Sequence, residues 1–428
     1  LWFNPKNSKK SILFLEFNFE QYIDLFKNLK SDKNLILVNL RHPAFSDLNS
    51  LKMLTELNCS IITPDYFLNR SEKNLATKHA KKYLINLKKL WENQSLFSEI
   101  FTIENCSIWG TIKDILLKTY QLRLEDFVKL VLFSKKLSDS IDLSCIVSLN
   151  VIGETEKAIL DQNKNIPSIL LEHGFTNYVH ELSHFDISNM YSSFKDKIAL
   201  WGNTQKEYLI AQHAISEERI LTIGSPRHDI FFKKYRSNNR AKKIVLITPG
   251  QFDEPNAVYD TNSFIKYELL FKKLFTILKN IPDISVIVKL HPSQQKNNLY
   301  LKKIIQKIDP EITIKQTVPI IDEIQSCDVL INIFPELFPS TVLLEGLILK
   351  KPVMNISLYD RSYNFEFEKD ESVLSIKDTD DLEKNIKKIL FDKNFQSTLI
   401  QNGTKHVNRY LSNPGCASQG LARILNSY

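Results

Sequence analysis

The chain has 428 residues, 43% of them hydrophobic and 25% charged, and a formal net charge of +7 at pH 7. That length allows two to three domains at about 150 residues each, and that apolar content excludes a disordered or collagen-like chain. So mild a basic excess permits an anionic ligand without demanding one, and with no arginine-rich tract or nucleic-acid motif it argues against nucleic acid as a partner.

Short apolar runs alternate with helical patterns from end to end, the mark of helices layered on parallel sheets. In the first half the expected strands are Ser11–Leu15, Asn34–Asn39, Ser60–Thr63, Cys145–Leu149, Ser168–Leu171, Ile198–Leu200 and Ile220–Ile223. The expected helices between them include Lys73–Trp91, Ile112–Leu137, Glu154–Gln162 and Gln205–His213. Residues 66–141 are mostly helical and interrupt the alternation, as a helical insertion would. The basic tract 233–243 (KKYRSNNRAKK) has no apolar period and reads as a linker. Beyond it the strands resume at Ile244–Thr248, Ser285–Lys289, Thr313–Lys315, Val329–Ile333 and Pro352–Ile356. Helices are expected near 263–280, 299–307, 319–325, 340–349 and 379–391, with a last helical stretch from about Ser397. The expectation is an α/β protein with two Rossmann-like domains, 1–235 and 244–428, whose parallel sheets face each other across a ligand cleft.

Five cysteines, at 59, 106, 145, 327 and 416, form no CxxC pair and no even set. A disulfide framework or structural zinc site is not expected, and a reducing compartment is. No apolar run approaches the roughly 18 residues of a membrane span. The chain opens on Leu1 rather than Met, which leaves room for an upstream segment.

In open parallel sheets ligands collect beyond the carboxyl ends of strands. That rule selects Glu16 and His42 after the first two strands, Glu172 and His173 after the fifth, Thr248 and Pro249 at 248–249, and His291 with Pro292 at the next strand tip. His291 could donate to a phosphate oxygen there, or be a plain turn histidine braced by its proline. Ser340 and Thr341 open a helix, where free N–H groups attract anions, although Ser and Thr are also ordinary caps. Glu345, five residues on, is placed to accept from a ribose or sugar hydroxyl, or to be solvated. Gly224-Ser225-Pro226-Arg227 with Asp229 follows another strand, where Arg227 and Asp229 could simply pair across the turn.

Taken in order, these segments resemble bacterial surface-polysaccharide and teichoic-acid transferases of the GT-B fold. The nearest patterns are the CDP-glycerol glycerophosphotransferase-like group and the capsule transferases for sialic-acid-type and Kdo-type sugars. The matching residues are His173-Gly174, then Gly224, Pro226, Arg227 and Asp229, then His291-Pro292, then Ser340-Thr341 before Lys351-Pro352, over roughly residues 145–425. Glu172 stands where the glycerophosphotransferases carry tryptophan, Phe175-Thr176-Asn177 replaces their Thr-Pro-Leu-Lys run, and Asn332-Ile333-Phe334 with Pro339-Ser340-Thr341 replaces Thr-Asp-Tyr-Ser-Ser. These departures tilt the reading toward a sugar transferase.

The resemblance implies an inverting, metal-independent glycosyltransferase that takes a nucleotide-sugar donor, CMP-sugars favoured, and a glycan or lipid-linked acceptor. It implies His173 as base with Glu172 or Glu16 in reserve, and His291, Pro292, Ser340, Thr341, Ser225, Arg227 and Thr248 around the donor, with Glu345 on the ribose. No cofactor is expected, and no DxD pair stands at a strand end to hold a metal. The alternatives are glycerophosphate transfer from CDP-glycerol, a nucleotide-sugar 2-epimerase, which needs no acceptor, and an inactive sugar-nucleotide-binding subunit. A cytoplasmic location follows, at the inner face of the membrane if the lysine-rich helix Lys73–Trp91 rests on anionic lipid. The competing expectation is that its lysines are a solvated face and its leucines pack on the first domain.

Overall fold

A computed structural model describes residues 9–29, 32–41, 43–174, 178–182, 187–234, 242–250, 261–292, 296–334, 339–358, 361, 363–377 and 381–428. His42, Phe175-Thr176-Asn177 and residues 235–241 of the expected linker lie outside them. The chain divides into two compact units, one of Leu1–Leu171, Ser193–Ile198 and Ala422–Tyr428, the other of Glu172–Ser192 and Ala199–Leu421.

In chain order the strands begin with β1 (Ser11–Leu15), β2 (Asn34–Val38), β3 (Cys59–Ile61) and a small antiparallel pair, β4 (Thr102–Ile103) and β5 (Cys106–Ser107). Next come β6 (Leu143–Ser148), β7 (Ser168–Leu171), β8 (Lys197–Leu200) and β9 (Ile220–Thr222). The first sheet has seven strands in the order β3-β2-β1-β6-β7-β8-β9. Every residue of β1, β2 and β6 is buried. Strands covered on both faces read as continuous apolar runs rather than alternating ones, which is why SILFL and NLILV stand out in the sequence. On one face Leu13, Leu15, Ile36, Val38 and Ile146 pack on Phe133, Leu137 and Ile159. On the other, Phe14 meets the edges of Phe17 and Phe26 at 5.2 and 4.9 Å.

The insertion consists of the helices Arg70–Leu90, Gln94–Ile100 and Trp109–Ser140, with β4 and β5 between the last two. A capping box starts the first: the Asn69 side chain accepts from the Glu72 N–H at 2.9 Å, and the Glu72 carboxylate accepts from the Asn69 N–H at 2.7 Å.

The second sheet comprises β10 (Lys243–Pro249), β11 (Ile284–Lys289), β12 (Thr313–Lys315), β13 (Val329–Phe334), β14 (Val353–Ser357) and β15 (Leu374–Ile376). Its order is β12-β11-β10-β13-β14-β15, parallel in each registered pair. Val245, Ile247, Ile331 and Met354 bury one face against Phe271, Phe275 and Ile386. Leu246, Leu330 and Val353 bury the other against Ile324, Leu344 and Tyr410. Each sheet has one place where the chain order reverses, β1/β6 in the first and β10/β13 in the second, and ligand crevices form there at the carboxyl edge.

Each of the twelve expected strands is present with ends shifted by at most two residues, while β4, β5 and β15 were not foreseen. The helix expected from about Ser397 is two, Lys393–Tyr410 and Ala417–Ser427. Among the described residues no helix is long and apolar enough to cross a membrane.

Candidate functional site

In the second unit, polar side chains gather where strands end. Glu172 is buried, and both its oxygens are engaged. One accepts from the Tyr178 hydroxyl, the other from the Trp201 backbone N–H at 2.7 Å, while the Trp201 indole N–H donates to the Glu172 carbonyl at 2.8 Å. The carboxylate therefore ties the end of β7 to the residue after β8.

His173 follows, half-buried, and its carbonyl accepts from Arg227 Nη1 at 2.8 Å. The other terminal nitrogen of Arg227 lies 3.5 Å from Glu345 Oε1. Arg227 thus joins the His173 turn, the turn after β9 and the helix Thr341–Ile348. The alternative of an Arg227–Asp229 pair gives way to this arrangement, and Asp229 instead accepts from the Ala417 and Ser418 N–H groups at 3.1 and 2.7 Å, starting the last helix. The turn is tight: Gly224 has φ +91°, and a Cβ there would stand 2.1 Å from the Ser412 carbonyl oxygen.

His228 went unnoticed in the sequence because it falls between Arg227 and Asp229. It is fully buried, with Nδ1 2.7 Å from Ser225 Oγ, Nε2 3.8 Å from Glu345 Oε1, and Trp201 edge-on at 5.1 Å. Burial pushes its imidazole below the ordinary histidine value, the Glu345 carboxylate opposing and the Arg227 charge reinforcing that shift. That shift favours the neutral ring, a hydrogen-bond partner for Ser225 that lies beside Glu345 at 3.8 Å without bonding to it. Glu345 is itself buried, and its Oε2 has no hydrogen-bond partner among the described residues.

Across the β10/β13 reversal runs a buried polar row. Thr248 Oγ1 donates to Asn332 Oδ1 at 3.0 Å, and Asn332 Nδ2 donates to Asn355 Oδ1 at 2.8 Å. The strand register sets the three side by side. A polar residue inside VLINIF was the one available signal for Asn332. Ser340 caps the following helix, its Oγ accepting from the Val342 N–H at 3.4 Å, with Thr341 half-buried beside it.

At the tip of β11, His291 and Pro292 are exposed. Their turn is held by its backbone: Asn298 donates to the His291 carbonyl at 2.9 Å, and Lys289 Nζ to the carbonyls of Leu290 and Gln316 at 2.8 and 2.7 Å. Burial lowers the Lys289 ammonium to about 8, against the charges of Glu323 and Glu345.

Glu16 belongs to the first unit. It is buried at φ 62°, and its carboxylate accepts from the Leu40 and Arg41 N–H groups at 3.0 and 3.2 Å. Arg41 in turn binds Glu156, whose carboxyl is raised by burial despite the arginine. The structure thus joins His173 to Glu345 through Arg227, brings Ser225 beside them through His228, sets Thr248 in the strand row, and leaves Glu16 with partners of its own. No group of three or more potential metal ligands occurs among the described residues.

No family model and no curated protein sequence matches the chain. Solved structures match along nearly its whole length. A glycosyltransferase from Rickettsia africae shares 14% identity at TM-score 0.52, covering 98% of this chain and 99% of that one. A Listeria monocytogenes protein, proposed to be a UDP-N-acetylglucosamine 2-epimerase, shares 10% at TM-score 0.57, covering 98% and 95%. The wall teichoic acid polymerase TagF shares 13% at TM-score 0.53, covering 99% and 89%. Two Rossmann-like parallel sheets of the GT-B type are the architecture common to them and to this chain.

Proposed function

We propose that the chain is a glycosyltransferase that moves a sugar from a nucleotide-sugar donor to a cell-surface glycan or lipid-linked acceptor, with inversion and without a required metal. The observation that carries this reading is the buried carboxylate of Glu345. One oxygen faces Arg227 and His228, and the other has no partner among the described residues. A buried acceptor left open costs free energy unless something donates to it, and a ribose hydroxyl supplies that donor. The reading places this ribose near the start of the helix Thr341–Ile348, whose first N–H groups, with Ser340, Thr341 and His291, take the donor phosphates. Ser225 and Arg227 of the turn after β9 and Thr248 of the β10 row also serve the donor in this reading, and Pro292 fixes the His291 turn.

His173 is the base in this reading. It takes the acceptor hydroxyl proton while the acceptor oxygen bonds to the anomeric carbon and the bond to phosphate breaks. Arg227 holds its carbonyl and so its backbone. Glu172, occupied by Tyr178 and Trp201, orients the turn, and Glu16 is the reserve base. CMP-sugars are the favoured donors. The location is cytoplasmic, where five unpaired cysteines remain reduced.

A thermal-shift panel of CMP, CDP, UDP and GDP tests donor binding. A nucleotide at about 100 times its dissociation constant should stabilise the protein by roughly 2.7 kcal/mol, and Glu345→Gln should shrink that shift. Labelled nucleotide sugar, given with and without a glycan acceptor, then separates the reactions. Label moving only with acceptor present supports transfer. An epimerised sugar without acceptor replaces the reading with a 2-epimerase, and movement of labelled glycerophosphate from CDP-glycerol to the acceptor, with release of CMP, replaces it with glycerophosphate transfer.

A further inference from the structure

The insertion of the first unit ends in a surface that its own packing leaves uncovered. The helices Arg70–Leu90 and Trp109–Ser140 lie against each other. At one end Leu130, Phe133 and Leu137 of the second helix enter the core of the first sheet. Trp109 lies 24 residues earlier, about 36 Å along the helix at 1.5 Å per residue. There the structure closes on itself. Trp91 meets Trp109 edge-on at 5.4 Å, and Phe97 and Phe101 stack on Trp109 at 4.6 and 5.2 Å.

Around this small aromatic core the aliphatic side chains point outward. Leu90, Leu96, Ile100, Ile103 and Ile115 are all exposed, Ile100, Ile103 and Ile115 by 61%, 60% and 64%. Of the 22 large apolar side chains exposed among the described residues, 11 fall between Leu75 and Phe127, about an eighth of the chain. Scattered apolar exposure is ordinary, whereas concentration marks an interaction surface.

Charge selects the partner. From Lys73 to Trp91 there are six lysines and no acidic residue. Ala76 and Ala80 are buried and Leu84 and Leu87 half-buried, whereas Lys78, Lys81, Lys82, Ile85, Lys88 and Lys89 are exposed. The tip itself carries Glu92, Glu99, Glu104 and Asp114 against Lys113, so its apolar groups supply the contact and the helix behind it supplies the charge.

We infer that this helical pair docks on an anionic lipid bilayer, with the 90–115 tip entering the headgroup boundary and the lysine face of Arg70–Leu90 lying along the phosphates. Lysine stems cover apolar surface while their ammonium groups stay in water, which suits that face. The leucines expected to pack on the first domain are divided: Leu84 and Leu87 are half-buried, whereas Leu75 and Leu90 are exposed. The inference extends the reading of a lipid-linked acceptor but does not use the donor site.

Co-sedimentation of the full chain with vesicles of phosphatidylcholine, with and without phosphatidylglycerol, is the test. Wild type should bind the anionic vesicles far more tightly than the neutral ones. Replacing Lys78, Lys81, Lys82, Lys88 and Lys89 by Gln should weaken low-salt binding on the order of a hundredfold or more. Replacing Ile100, Ile103 and Ile115 by Ser should remove the binding that survives high salt. Hydrogen exchange on wild type needs no variant, and vesicle protection should concentrate in residues 70–120. Absence of wild-type binding at low salt, equal binding of all three proteins, or protection elsewhere overturns the inference. So does a lipid-independent dimer that the isoleucine variant abolishes, since the occupant would then be a second copy. Nucleotide shifts measured on the same variants should equal wild type, which keeps failure here separate from failure of the donor reading.

Discussion

His173 and His291 both end strands, yet they occupy different settings and should fail differently. His173 sits on a turn clamped by Arg227, and as a base it acts on the acceptor hydroxyl. His173→Ala should lower turnover about 10²–10⁴-fold and spare donor affinity. His291 stands exposed at the tip of β11. His291→Ala should weaken donor binding by about 1.5–3 kcal/mol, the worth of a hydrogen bond to a charged group. Isothermal titration with donor and initial rates under saturation separate the two, and interchanged effects would exchange the roles. Lys289 gives a pH signature. Its folded value, about 8, lies below the ordinary 10.5, so between those values the unfolded chain holds a proton that the folded chain has released. Stability from this group therefore rises with pH across that window. Urea unfolding at pH 7.5 and 9.5 should show wild type gaining relative to Lys289→Met on the alkaline side. These residues were legible because strand ends attract ligands, whereas side-chain direction was not. Nothing in IPSILLEHG says that Glu172 turns inward to Trp201, or that Asp229 reaches across nearly two hundred residues of chain to Ser418.

Among the elements, the strands were legible and the punctuation was not. Central strands such as β1 and β2 announce themselves as unbroken apolar runs because both faces are covered. β15 is three residues at a sheet edge with a serine in the middle, and β4 and β5 are two residues each. Such short pieces exist through their neighbours and leave little periodic trace. The helix Trp109–Ser140 starts three residues before its expected beginning at Ile112, where the aromatic core holds Trp109. The turn after β9 shows the same dependence on context. Gly224 holds a backbone conformation that costs an L-residue roughly 1–2 kcal/mol, before any contact with the Ser412 carbonyl is counted. Gly224→Ala should therefore destabilise the protein by at least that amount in thermal or urea unfolding, and an unchanged midpoint would show that the neighbouring segment yields freely.

Across the whole molecule, the cysteines report on packing in both units at once. Cys59, Cys145 and Cys327 are buried, and burial pushes each thiol up to about 12, while Cys106 and Cys416 are exposed. Only a thiolate reacts readily. Iodoacetamide at pH 7.5 should label two thiols in the native protein and five after denaturation, read by intact mass. A third native adduct would mean that the packing around one of the three buried thiols opens. The α/β plan of parallel sheets covered by helices was legible from composition and alternation alone. The helical insertion was visible only as an interruption, because what its far end touches is not encoded in its own period.

The row Thr248–Asn332–Asn355 has a direction. Each donor hands on to the next acceptor, so the sense of the relay resides in single atoms and cannot be reversed at one member. Asn332→Asp exchanges one nitrogen for oxygen, still accepts from Thr248, and presents an acceptor to the Asn355 carbonyl oxygen. The protonated acid regains a donor and loses the buried charge. Burial should hold that carboxyl above its unfolded value, so the variant is least impaired below the ordinary carboxylate range and loses stability as pH rises through the folded value. Unfolding at pH 5 and 7.5 should therefore show the gap to wild type widening toward neutrality, an acid-favoured fold produced by the change of one atom in the relay.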